Sequence, residues 1–391
     1  MTLNINQLRN DTPGCQNVLH FNNAGASLPT LSVMEAVKKH LDLEANIGGY
    51  EAAHLAEPEI NNFYKSAAQL INCSTDEIAF MENATRAWDM AFYSLRLKKG
   101  DRILTAVCEY ASNYIALLHK AQTTGVIIDV IPNDDMGQLD VTQLESKIDD
   151  KVKLIAITHV PTNGGLINPA ELIGTIARKY NIPYLLDTTQ SIGQMPIDVK
   201  TLGCDFLCAT GRKYLRGPRG TGFLYAGTQI IDRCDPPFLD LHSAKWLNNN
   251  SYEILKNAQR FETWEQYIAG KIGLTAAIDY ALNLDINLCW QRILDLAALL
   301  RSKLASIPGI QLHDLGSHQC GIVTFTHSTK SAQEVQNYLS SLKINTSVSL
   351  LEYTRLDMAG RNLSALLRAS VHYYNTEEEI ERFSEEIERL K

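Results

Sequence analysis

The sequence predicts an α/β protein: a large domain built on a mostly parallel sheet with helices on both faces, followed by a smaller α+β domain. Two observations carry this. Between about residues 102 and 226 short apolar runs alternate with helical stretches, the signature of parallel strands joined by crossovers. Beyond about residue 255 helical periodicity takes over, followed by shorter strand patterns. The length of 391 residues suits one large domain and a smaller companion, read as 15–260 and 261–391 with residues 1–14 as an arm.

The elements follow in order. Pro29 opens a helical pattern in which Met34, Val37 and Leu41 share a face, and Gly48-Gly49 closes it. Strand patterns run at Arg102 to Val107, Gly125 to Ile131, Val152 to Val160, Ile182 to Leu186, Asp205 to Ala209 and Gly222 to Tyr225. Glu265 to Ile307 reads as helix, and Gly321 to Phe325 and Leu367 to His372 as strands of the second domain. Thr376 and Glu379 have capping-box spacing and predict a terminal helix whose first turn is acidic, as its dipole favours.

Composition narrows the function. With 36 Lys+Arg against 44 Asp+Glu the chain is acidic, which disfavours nucleic acid and anionic lipid and leaves small metabolites as partners. No apolar run approaches the ~18 residues that span a bilayer, and the opening residues lack a signal-peptide pattern, so an intracellular, cytoplasmic protein is expected. The eight cysteines form no Cys-x-x-Cys pair, so neither a disulfide framework nor a metal cluster is expected. Cys204 and Cys208 read as buried thiols on one face of a strand.

Ligands of open parallel sheets collect beyond the carboxyl ends of the strands, so polar residues after each apolar run are the candidates. One run ends at Asp187, followed by Thr188, Thr189 and Gln190; a carboxylate there can also simply cap a helix. The next ends at Thr210-Gly211-Arg212-Lys213, which could be a basic surface loop. Lys213 lies 26 residues after Asp187, the span of one βαβ step between adjacent strands, so an amine and a carboxylate could share a cavity. Upstream, Asn83-Ala84-Thr85 begins a helix whose free amides suit a phosphate, although Asn and Thr also cap helices routinely. Neither a P-loop nor a Gly-x-Gly-x-x-Gly fingerprint occurs, which favours a smaller phosphorylated cofactor over a nucleotide.

Together these residues resemble the fold-type I pyridoxal-phosphate enzymes, in particular the class V aminotransferase-like group of cysteine desulfurases, carbon-sulfur lyases and isopenicillin N epimerase. The resemblance runs from about Phe21 to the C-terminus. Its most specific pieces are Leu186 to Ser191, Thr210 to Lys213 and Arg368-Ala369-Ser370-Val371-His372-Tyr373-Tyr374-Asn375-Thr376. It implies pyridoxal 5′-phosphate as cofactor, Lys213 as the Schiff-base lysine that also moves the α-proton, and Asp187 at the pyridine nitrogen. It further implies Gln190 at the phenolic oxygen and Tyr110 where many relatives place a stacking histidine; tyrosine stacks without imidazole proton chemistry. Phosphate contacts are implied for Ala84, Thr85, Thr210 and Arg212, a cofactor or substrate contact for Thr162 and Asn163, and carboxylate binding for Arg368 with Asn23, Ala24 and Gly25.

The reaction implied is β-elimination from a cysteine derivative. A desulfurase needs a nucleophilic cysteine shortly before the carboxylate-binding arginine, and Ser347 to Leu367 holds none. Gly48-Gly49-Tyr50-Glu51 resembles that part of hercynylcysteine-type carbon-sulfur lyases. Transamination and epimerisation are the alternatives, and a cofactor-binding protein without turnover is a third. A homodimer acting on a small amino acid is implied, yet the family's Arg-Phe-Glu-x-Gly-Thr motif stands here as Arg260-Phe261-Glu262-Thr263-Trp264-Glu265, without the Gly-Thr that reaches a partner's phosphate. Arg355, Tyr50 and Trp264 are candidates for recognising the substrate side chain.

Overall fold

A computed structural model describes residues 3–390. The large sheet has seven strands, β1 (Ile78–Met81), β2 (Arg102–Ala106), β3 (Ile127–Ile131), β4 (Val152–Thr158), β5 (Tyr184–Asp187), β6 (Phe206–Thr210) and β7 (Gly222–Ala226). Their spatial order is β1-β7-β6-β5-β4-β2-β3. Pairing among β6, β5, β4, β2 and β3 is parallel, as the alternating pattern predicts. β7 runs antiparallel to both its neighbours. The reason is local: only the loop Gly211 to Thr221 joins β6 to β7, and a parallel return needs a crossover of about a dozen or more residues. That loop carries Arg212 and Lys213.

Successive residues of the central strands feed opposite cores. Leu186, Leu207 and Phe223 enter one cluster, and Leu185, Phe206 and Leu224 the other, so both faces are covered and these strands read as continuous apolar runs. Cys204 and Cys208 are both buried but pack into different clusters, because Cys204 precedes the strand and the two-residue alternation does not extend to it. Chain order reverses where β2 meets β4, and the loops leaving those two strands diverge there.

Helix α1 (Leu31–Ile47) starts with Thr30 accepting from the Val33 amide and ends at Gly48, whose φ of 99° is open to glycine at low cost. α2 (Ala84–Tyr93) and α3 (Ala111–Thr124) follow β1 and β2. The long helical stretch predicted after Glu265 is two helices, α4 (Ile268–Leu282) and α5 (Ile286–Ala305), because Asp285 caps the second through the Asn287 and Leu288 amides.

The second sheet is antiparallel, with β8 (Ile310–Leu312), β9 (Ile322–His327), β10 (Ser347–Leu350) and β11 (Ala365–Ser370) in the order β8-β9-β11-β10. The terminal helix α6 (Glu377–Glu388) begins with the predicted Thr376/Glu379 capping box. Under the proposed two-domain division, α4 gives Leu274 and Ile278 to the core of the large sheet, while Leu8, Phe21 and Ala24 join the core of the small one. Leu19–His20 pairs with Ile344–Asn345, and the Ser370 amide donates to the Phe21 carbonyl at 2.7 Å, tying the first segment to β11.

Gly193 fixes the spacing between the loop after β5 and the lysine loop. Its φ is +79°, and an added Cβ would stand 2.6 Å from the Tyr214 carbonyl carbon and the Leu215 nitrogen. Gly193→Ala is therefore expected to cost about 2 kcal/mol or more from left-handed strain and backbone collision. Denaturant unfolding measures this, and an unchanged midpoint would contradict the packing described.

Candidate active site

The ends of β2, β4, β5 and β6 and the start of α2 enclose a cavity of about 440 Å³. Its lining includes Ala84, Thr85, Tyr110, Thr162, Asp187, Gln190, Thr210, Arg212 and Lys213, nine of the residues singled out from sequence. Strand register explains the meeting of the two most important. Asp187 closes β5 opposite Cys208 of β6, and the chain leaves β6 through Thr210 into the lysine loop.

Asp187 is buried and held from two sides. Its Oδ1 accepts from the Thr189 amide at 2.8 Å and its Oδ2 from the Asn113 carboxamide at 2.9 Å. Lys213 is also buried; removal from water, together with the nearby guanidinium groups of Arg212 and Arg368, holds its amine well below the ordinary lysine range. Asp187 acts in the opposite direction. The balance favours the neutral, nucleophilic form of the amine relative to an exposed lysine, since the protonated form is the one burial disfavours.

At the other end of the cavity, Asn83 caps α2 by accepting from the Arg86 amide at 2.9 Å. The N–H groups of Ala84 and Thr85 at this first turn can therefore receive an anion, with the helix dipole adding to the attraction. Arg212 donates to the Gly25 carbonyl, which anchors its side chain at the cavity wall. Thr210 shares that wall and bonds the Thr221 carbonyl across the loop.

Arg368 does not line this cavity directly. It stands behind Thr162, donating to the hydroxyl at 2.5 Å and to the carbonyl at 3.2 Å, and its buried Nε has no partner. Burial lowers it to about 10. Gln190 donates to the Ala24 carbonyl at 3.0 Å, leaving its buried Oε1 unpartnered. Asn23 is occupied elsewhere, donating to the Ser370 carbonyl and accepting from Tyr374. Ala24 donates to the Ser370 hydroxyl at 2.8 Å, so the Asn23 to Gly25 turn is fixed beside Gln190 and Arg212. The Asn163 side chain turns toward Thr354 and Met358 and is not part of the cavity lining.

Tyr50 and Trp264 meet in a separate cavity of about 820 Å³, and Arg355 is solvent-exposed. Arg260 and Glu262 brace the fold within this chain. Arg260 donates to the Leu255 and Ile231 carbonyls, each at 2.7 Å, while buried Glu262 accepts from the Phe80 amide at 2.7 Å and the Tyr64 hydroxyl at 2.9 Å. Asn113 and Glu109 are absent from the sequence-based set. Their spacing of one helical turn, immediately after β2, is the signal that could have found them.

The donors and orphans suit a small phosphorylated aldehyde. Free helix amides and Arg212 line the cavity together with a carboxylate and an amine, and the buried Thr189 Oγ1 and Gln190 Oε1 lack partners. The sequence profile of the aminotransferase class-V family matches residues 18–383. The chain belongs to this family. It is 31% identical to a probable cysteine desulfurase of Pyrococcus abyssi, over 98% of this chain and 96% of that protein. Its fold matches the apo cysteine desulfurase of Thermococcus onnurineus NA1 with a TM-score of 0.92 at 27% identity, covering 100% and 98% of the two chains. It also matches C-DES, solved as a mutant with glycine covalently linked to its pyridoxal-phosphate cofactor, with a TM-score of 0.88 at 22% identity, covering 97% and 98%. As a member of the class-V family the chain is a pyridoxal-phosphate-dependent enzyme of fold-type I architecture, and pyridoxal 5′-phosphate is its cofactor.

Proposed function

We propose that this enzyme is a carbon-sulfur lyase that splits a cysteine derivative by β-elimination without a protein persulfide. The observation that supports the reading is a cavity lined by Lys213 and Asp187, with Arg368 behind Thr162 and no thiol in its lining. None of the eight cysteines lines the cavity: six are buried, and the partly buried Cys15 and Cys73 have thiols that burial pushes up to about 11 and about 12. A thiol held protonated is a poor sulfur acceptor.

In this reading Arg368, with the Asn23 to Gly25 turn, holds the substrate carboxylate, for which a planar guanidinium fork is suited. Ala84, Thr85, Thr210 and Arg212 hold the phosphate, and Tyr110 offers an aromatic face. When bound, the coenzyme would supply a sink for the electron pair left at Cα, and Asp187 would keep its ring nitrogen charged for that purpose. Lys213 would take the α-proton. The Cβ–S bond would then break with the sulfur leaving as thiolate, which takes up that proton, and hydrolysis of the remaining 2-aminoacrylate would give pyruvate and ammonia. Thr162 orders the wall between cofactor and arginine. A homodimer is part of the reading: the exposed Trp246, Tyr252 and Trp264 offer apolar surface for a second copy. Free thiols throughout suit a reducing, cytoplasmic setting. Among the described residues no helix is long and apolar enough to cross a membrane.

The relatives' description as probable cysteine desulfurases favours a second reading, sulfur transfer from cysteine. Product analysis separates the two. Incubation with cysteine, cystine and S-substituted cysteines is expected to release equal amounts of pyruvate and ammonia. Alanine with protein-bound sulfane sulfur would overturn the lyase reading, and keto-acid-dependent amino transfer would replace it with transamination.

A further inference from the structure

Behind Asp187 lies a second carboxyl group that the reaction above leaves unused. Glu109 is buried and accepts hydrogen bonds from the Thr158 amide at 3.0 Å, the Tyr110 amide at 3.1 Å, the Asn113 carboxamide at 2.8 Å, the Thr105 hydroxyl at 3.4 Å and the Thr158 hydroxyl. The donors come from β2, β4, α3 and the residue that precedes α3. So many donors converging on one side chain mark a place built for a carboxylate, since an apolar residue there would leave them unpaired. The same Asn113 Nδ2 that binds Glu109 also binds Asp187. One carboxamide thus joins two buried acids, and parallel register sets Thr158 opposite Asp187 at the carboxyl ends of their strands.

The groups facing Glu109 offer it no counter-ion. They are Asp187 and Tyr184 on β5, Cys208 on β6 and Cys108 on its own loop, and no ion pair to Glu109 occurs among the described residues. Burial, aided by the charge of Asp187 and opposed by the hydrogen bonds, pushes its carboxyl up to about 7. Its charge therefore changes within the working range of most enzymes.

We propose that Glu109 is a positioning residue that sets, through Asn113, how firmly Asp187 keeps a proton on the ring nitrogen of the bound coenzyme. The inference rests on the reading that this nitrogen meets Asp187. An ionised Glu109 adds negative potential behind Asp187 and favours the protonated ring. Protonation of Glu109 removes that potential, so the ring holds its proton less firmly as pH falls through neutrality.

The test uses protein reconstituted with pyridoxal 5′-phosphate labelled with 15N in the ring, titrated by NMR from pH 6 to 8. The ring-nitrogen resonance of the wild type is expected to move in one step near neutral pH. In Glu109→Gln the step should vanish, with the resonance displaced toward the unprotonated position throughout, while the thermal midpoint stays within a few degrees. Asn113→Ala removes the shared carboxamide and should displace the resonance in the same direction, and the double variant should show less than the sum of the two single displacements. A Glu109→Gln trace that overlays the wild type overturns the proposal, as does a loss of stability with no change in the resonance. Should that variant not fold, an unmoved resonance in Asn113→Ala has the same force. Asp187→Asn separates this from the underlying placement: if it too leaves the resonance unmoved, the ring nitrogen is not at Asp187 and both fall.

Discussion

Lys213→Ala is expected to abolish turnover and covalent attachment of the coenzyme together. The substitution removes the one amine that lines the cavity beside Asp187, which in the proposed function is both the point of attachment and the group that takes the α-proton. Loss of a general base alone costs about 10²–10⁴-fold, and the attachment site goes with it, so the expected fall in kcat is at least at the upper end of that range. The fold should persist, because a buried amine that gives up water for a site crowded by Arg212 and Arg368 does not gain stability there. Steady-state kinetics and the visible absorption of the reconstituted variant check both halves. Turnover within tenfold of the wild type would remove Lys213 from the chemistry.

Asp187→Ala should produce the next largest loss. The carboxylate is held in place by Thr189 and Asn113 and closes the strand that faces the lysine loop, so its charge is fixed where a ring nitrogen would need it. Removing one fixed electrostatic contact to a developing charge costs on the order of 10²–10³-fold in kcat, and loss of the ring proton weakens the electron sink itself. In the proposed function the substrate carboxylate is held by Arg368, apart from this contact, so KM should change far less than kcat. Near-normal kcat in a folded variant would contradict the assignment.

Much of this arrangement is legible in the sequence because strands buried on both faces announce themselves. The apolar run ending at Asp187 and the one leading into Thr210-Gly211-Arg212-Lys213 mark strand ends. The rule that ligands gather there brings an acid and an amine together before any coordinates are known. The capping box at Thr376 is equally local, and it forms as its spacing requires.

What the sequence conceals depends on distant pairing. The antiparallel β7 follows from the shortness of a loop rather than from any pattern in Gly222 to Tyr225. The break between α4 and α5 turns on Asp285 caught by two amides, inside a stretch whose apolar periodicity carries straight on. Asn163 neighbours Thr162 in the chain yet faces Thr354 and Met358, since one residue of turn sends its side chain away from the cavity. Glu109 and Asn113 look like ordinary residues at a helix start. Only the register of β4 against β5 brings Thr158 and Asp187 to them.

The central claim is a covalent bond between Lys213 and the coenzyme aldehyde, made in a cavity that also presents Asp187. Its most direct test is borohydride reduction of the purified holoenzyme followed by proteolysis and mass spectrometry. One peptide carrying the reduced pyridoxyl-phosphate adduct on Lys213 is expected, and no such peptide from Lys213→Ala. An adduct confined to another lysine, or a wild-type protein that takes up the coenzyme and yields no adduct, would contradict it.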